Sequence, residues 1–144
     1  MRFQLALNVK DLDEAVAYYS KLFGVEVNKR KPGYANFSVA HPPLKLVLFE
    51  NPGASERLNH VGFETFDNEE VERQIARLEP IGLASEVIRD EHCCYARKST
   101  VYAHDPQGLM WEFYKLQGDE ETFGTPAPEP EAEAAPTTGG ACCG

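Results

Sequence analysis

Residues 59–82 read "NHVGFETFDNEEVERQIARLEPIG", and two periods meet within that stretch. Val61 and Phe63 alternate with His60, Gly62 and Glu64, the period of a strand that buries one face. From Asp67 the period changes to that of an amphipathic helix. Val71, Ile75 and Leu78 fall on one face, Asp67 and Glu70 form a D-x-x-E cap, and Pro80 and Gly82 end the run. The same order opens the chain in "RFQLALNVKDLDEAVAYYSKLFG", residues 2–24. There Phe3, Leu5, Leu7 and Val9 alternate against Gln4, Ala6 and Asn8, and Asp11 with Glu14 supplies the cap. Leu12, Ala15, Val16, Tyr19, Leu22 and Phe23 make the helical stripe, and Gly24 stops it. A strand and a capped helix occur twice in one order, so the chain is an internal repeat.

Each unit continues with three strand-like runs. In the first they are "VEVNKR", "YANFSVA" and "KLVLFE", punctuated by "KPG" and "HPP". In the second they are about Ser85–Arg89, "STVYAH" and "LMWEFYKL". The expected architecture is α+β, with two βαβββ modules at about residues 2–50 and 59–116. The modules are expected to face each other across a cleft, with a helix on the outer side of each sheet. The folded domain is placed at residues 1–123. Residues 124–144 are Pro, Ala, Glu, Thr and Gly ending in a cysteine pair, and they read as a disordered tail that buries too little surface to offset ordering.

A chain of 144 residues fits one domain. Its formal charge is −9, and the tail from Asp119 adds acids and no base. There is no basic stripe to hold nucleic acid or an anionic membrane. No apolar run is long enough to span a bilayer, and the N-terminus lacks a signal peptide's pattern. The expectation is a cytoplasmic monomer or homodimer that acts on a small molecule, with its thiols mostly reduced. The four cysteines form two adjacent pairs, Cys93-Cys94 and Cys142-Cys143, unlike a disulfide framework or a C-x-x-C motif.

The paired layout, with "NHVGFE" opening the second half and "DPQGLMWEFY" closing it, resembles the vicinal oxygen chelate superfamily. That superfamily includes glyoxalase I, extradiol dioxygenases and fosfomycin or bleomycin resistance proteins. The resemblance implies a metal site on the strand faces turned away from the helices. Alternation puts Gln4, His60 and Glu112 there, with Gln4 and His60 as symmetry mates. The mate of Glu112 is Leu48, or Val47 if the register slips by one, and neither is a donor. One imidazole, one carboxylate and one amide oxygen with open positions approximate the facial triad of oxygen-activating iron enzymes, with Gln4 where a second His usually sits. This set argues against glyoxalase I, which fills four protein positions. His41, His92 and His104 lie in or near turns and read as solvated or hydrogen-bonded.

"RDEHCCYARKS", residues 89–99, surrounds Cys93 and Cys94 with charged side chains, which suggests an exposed loop. Two neighbouring thiolates suit a soft ligand, and trivalent arsenic is a strong example. A methylated trivalent arsenical offers two exchangeable positions, and the second sulfur would bind intramolecularly. "KRKPGYANFSVAHPPLKLVLFENPG", "LNHVGFE" and "CCYA" together resemble the organoarsenical C–As lyases of arsenic-resistance operons, some labelled cadmium-induced proteins. The resemblance implies Fe(II) on Gln4, His60 and Glu112, O₂ as co-substrate, and a trivalent organoarsenical on Cys93 and Cys94. It also implies a loop around residues 88–98 that swings toward the iron. No general base is evident, and Tyr95 and Tyr102 are placed to line a pocket. Cys142 and Cys143 are candidate accessory thiols. The competing readings are a non-enzymatic metalloid or cadmium binder, and a thiol transferase or ring-cleaving dioxygenase on the same fold.

Overall fold

The computed structural model describes residues 1–93 and 96–119, and for 90–93, 96, 97, 118 and 119 the backbone alone. The first module runs β1 (Arg2–Val9), α1 (Leu12–Phe23), β2 (Lys29–Lys31), β3 (Tyr34–Val39) and β4 (Leu44–Glu50). The second runs β5 (Leu58–Glu64), α2 (Asn68–Leu78), β6 (Glu86–Cys93), β7 (Ala96–His104) and β8 (Met110–Asp119). The tail, including Cys142 and Cys143, lies outside the described residues.

Both helices start where their caps place them. The Asp11 carboxylate accepts from the Glu14 N–H at 3.0 Å, and Asp67 accepts from the Glu69 N–H at 2.8 Å. Helix α1 ends at Gly24, whose φ of 65° lies in the left-handed region that closes a helix at low cost in glycine. Its stripe packs Leu12, Ala15, Val16, Tyr19 and Phe23 on Leu5, Leu7, Phe37 and Leu46, whereas Leu22 falls outside it and is exposed. Val71, Ile75 and Leu78 of α2 pack on Val101, Val87 and Phe113. Of "VEVNKR" only Lys29 and Arg30 enter β2, because Val25 and Val27 are already used in the core against α1.

The modules join edge to edge. All eight strands form one sheet in the order β2-β3-β4-β1-β5-β8-β7-β6. Strands β1 and β5 pair antiparallel at the seam, while β1–β4 and β5–β8 are parallel. The face opposite the helices carries side chains with no exposure, among them Gln4, His60, Lys98 and Glu112. Lys45 of β4 brings its ammonium to 5.2 Å from the Tyr114 ring of β8. Three strand spacings of about 4.8 Å would separate them in a flat sheet, so the sheet curls around this face. That concave face is the cleft. No helix among the described residues is long and apolar enough to cross a membrane.

Candidate metal centre on the concave face

Three strands at the seam bring Gln4, His60 and Glu112 together. Gln4 pairs with Gly62 and Ala6 with His60 across β1–β5, and Gly62 pairs with Glu112 across β5–β8. Gly62 leaves room at the crossing. A Cβ there would lie 2.6 Å from Glu112 Cγ and 2.7 Å from the Glu112 carbonyl oxygen, so the carboxylate arm lies over a bare Cα. Glu112 Oε1 is 2.8 Å from Gln4 Nε2 and 3.2 Å from His60 Nε2, and the amide and ring nitrogens are 3.0 Å apart. The seam symmetry exchanges Gln4 with His60 and Ala6 with Gly62. The mate of Glu112 is therefore Val47, the partner of Ala6, and not Leu48, which faces α1.

The surroundings are charged and closed to water. Lys98 Nζ donates to Glu112 Oε2 at 3.1 Å and to the Tyr102 hydroxyl at 2.8 Å. Burial is the largest single influence and would raise the Glu112 pKa, but Lys98 and His60 together outweigh it and the net direction is down, so the carboxylate is ionised. Tyr114 donates its hydroxyl to Gln4 Oε1. Burial, with Glu64 and Glu112 nearby, raises its pKa well above the phenol range, so it keeps its proton. Lys45 lies 3.9 Å from Glu64, which also binds Arg2, and burial lowers the Lys45 pKa to about 8.

The three donors fit a metal ion by size and by chemistry. His60 Nε2, Glu112 Oε1 and the Gln4 amide nitrogen stand 2.8–3.2 Å from one another, and turning the Gln4 amide over puts its oxygen where that nitrogen lies. One face of an octahedron with bonds of about 2.1 Å has edges of about 3 Å. Among the described residues no cluster of three His, Cys, Asp or Glu side chains could hold a metal ion, and here the third donor is an amide. Imidazole, carboxylate and amide oxygen are borderline to hard donors, suited to Fe(II) or Mn(II) more than to thiophilic ions. The Tyr114 hydroxyl can accept as well as donate, so the Gln4 amide can present either end to the centre.

The model of the Glyoxalase/Bleomycin resistance protein/Dioxygenase superfamily matches residues 3–113. The chain belongs to that superfamily. It is 51% identical over 124 residues to "Cadmium-induced protein CadI" of Mycobacterium tuberculosis H37Rv, covering 86% of this chain and 82% of that protein. It is 42% identical to a "Trivalent organoarsenical cleaving enzyme" of Thermomonospora curvata, covering 99% of each chain. A crystal structure of a superfamily member from Vibrio splendidus 12B01 aligns with a TM-score of 0.52 at 14% identity, over 80% of this chain and 97% of that one. At that identity the likeness concerns the fold.

Within this superfamily domain the thiol segment departs from the loop expected at residues 88–98. Strand pairing runs to Cys93 in β6 and resumes at Ala96 in β7, with Cys93 opposite Ala96 and a register shift between Ile88 and Glu91. Cys94 and Tyr95 lie outside the described residues. Lys98, expected on an exposed loop, is fully buried and belongs to the centre. His104 is held by Ser85 Oγ at 2.9 Å, outside the centre. Tyr102 does line the cleft, while Lys98, Tyr114, Lys45 and Asn59 are additions to the expected set. Alternation held the signal for Tyr114, two residues past Glu112, and for Lys98, four before Tyr102. A lysine in a charged stretch reads as solvent-facing, which hid it.

Proposed function

We propose that this protein cleaves the carbon–arsenic bond of trivalent organoarsenicals, releasing arsenite, with Fe(II) as cofactor and O₂ as co-substrate. The observation that carries the reading is full-length similarity to a protein named for that cleavage, combined with the buried Gln4, His60 and Glu112 triangle. Gln4, His60 and Glu112 would hold Fe(II), which when bound supplies the activation of O₂. Lys98 favours the ionised form of Glu112 and occupies its second oxygen, so Oε1 is the oxygen left for the centre. Cys93 and Cys94 take the arsenical. Two thiols displace two hydroxyls from arsenic, two water molecules leave, and the carbon substituent stays on arsenic. Gln4, His60 and Glu112 have no exposure, so bulk water is kept from the centre they form.

Anaerobic loading with Fe(II), followed by methylarsenite and then air, should release arsenite. A well-loaded protein that releases none sinks this reading. Cys93→Ser should abolish arsenical binding and turnover and leave iron content unchanged, whereas Glu112→Ala should lose iron and retain the arsenical. The name of the cadmium-induced relative favours a second reading, a thiol-based metalloid or cadmium binder without catalysis. Such a binder would be indifferent to Glu112→Ala. A ring-cleaving dioxygenase would be indifferent to Cys93→Ser.

A further inference from the structure

We infer that Asn8 and Asn59 form a two-amide relay that places the His60 proton on Nδ1 and leaves Nε2 free to bind a metal. The inference rests on the reading of His60 as a ligand, and its first readout does not need a metal. The relay begins at the Glu56 backbone carbonyl, which can only accept. Asn8 Nδ2 donates to it at 3.0 Å. The Asn8 main chain is fixed on both sides by Arg57, through N–H to carbonyl at 2.7 Å and carbonyl to Arg57 Nε at 3.0 Å. With Nδ2 committed, Asn8 Oδ1 faces Asn59 and accepts from Asn59 Nδ2 at 3.0 Å. Asn59 Oδ1 is then the atom turned toward His60, 2.7 Å from Nδ1. An amide oxygen has no proton to give, so Nδ1 must carry one.

The direction of every amide is thus inherited from one peptide carbonyl. A neutral imidazole has a single N–H, and the relay spends it on the side away from the centre. Glu112 pulls the other way, because Oε1 lies 3.2 Å from Nε2 and would accept a proton placed there. Gln4 Nε2, 3.0 Å from His60 Nε2, donates to it while Tyr114 holds the Gln4 oxygen, and this support is lost when the Gln4 amide turns over to present its oxygen. Without the relay the Nε2–H form then gains a carboxylate partner, and a metal must first displace that proton. Metal-binding histidines usually have their second nitrogen held by an oxygen acceptor, and losing that acceptor typically costs 10–100-fold in affinity. Asn8 and Asn59 are positioning residues in this scheme. They act through His60.

The test uses the full-length metal-free protein, labelled with ¹⁵N, at pH 8, where free imidazole is neutral. Long-range ¹H–¹⁵N correlations should show the His60 proton on Nδ1. Asn59→Leu should move it to Nε2, Asn8→Ala should give a mixture, and Asn59→Asp, which keeps an oxygen facing Nδ1, should restore Nδ1–H. In anaerobic competition with a chelator, Fe(II) affinity should fall about 10–100-fold in Asn59→Leu and recover in Asn59→Asp. A wild-type His60 protonated on Nε2, or a tautomer unchanged in Asn59→Leu, overturns the relay. If Asn59→Leu does not fold, the wild-type tautomer and the Asn8→Ala mixture decide. If the tautomers follow this pattern but wild type binds no Fe(II), the ligand reading fails and the relay's control of the proton stands.

Discussion

Gly62 shows how one residue sets the geometry of the centre. Its missing Cβ is the space through which Glu112 reaches over β5, with Glu112 Cγ 2.6 Å from where that carbon would be. Gly62→Ala meets backbone as well as side chain, so the strain cannot be relieved by a rotamer change alone. It should cost about 1–3 kcal/mol in stability, read from urea midpoints, and should displace Glu112 enough to weaken metal loading. Wild-type stability together with wild-type loading would show that the crossing is looser than this. Lys45 is a second case, in which burial lowers its pKa from 10.5 to about 8. Between those values the unfolded chain binds the proton and the folded chain does not, so stability rises with pH through this window. The burial penalty is fully present below pH 8. At 1.36 kcal/mol per unit the gain is about 3 kcal/mol. Urea unfolding of wild type and Lys45→Met across pH 7–10.5 should show the rise only in wild type, and parallel curves would refute the cause assigned here.

At the scale of elements, legibility followed the physics of periodicity. Helices α1 and α2 announce themselves because a cap, a stripe and a stop coincide within each, and the face of β1 follows because Leu5, Leu7 and Val9 pack on α1. What the alternation could not tell was that the opposite face is buried too. On a strand such as β1, polar residues opposite an apolar face ordinarily meet water. Here Gln4 has no exposure and lies deeper than Phe3. The curl of the sheet causes this inversion, and it arises from contacts across four strands that no local pattern encodes. The same blindness applied to β6 and β7, where the charged residues of "RDEHCCYARKS" read as a loop, yet strand pairing places Lys98 opposite both Glu91 and Leu116. The candidate ligands were legible because module symmetry and a known superfamily pattern point to them. Their supporting shell was not, because Lys98, Asn59 and Asn8 carry meaning only through three-dimensional partners.

For the whole molecule, the seam and the centre are the same place. The two hydrophobic clusters under α1 and α2 are separate, one built within each module, and β1–β5 pairing joins them. Gln4 comes from the first module and His60 and Glu112 from the second, so an ion held by all three would tie the halves together. A ligand that binds only the joined state stabilises it by RT ln(1 + [L]/Kd), about 2.7 kcal/mol at a hundredfold excess over Kd. Anaerobic Fe(II) at that excess should raise the thermal midpoint several degrees in a single transition, observed at once by Tyr19 or Phe23 probes in the first module and Trp111 in the second. Glu112→Ala and Gln4→Leu should each remove the shift, although they lie in different modules. If iron moved only the Trp111 signal, the ion would belong to the second module alone and Gln4 would not be a ligand. A shift shared by both probes in wild type and lost from both in Gln4→Leu is the result that an ion spanning the seam requires.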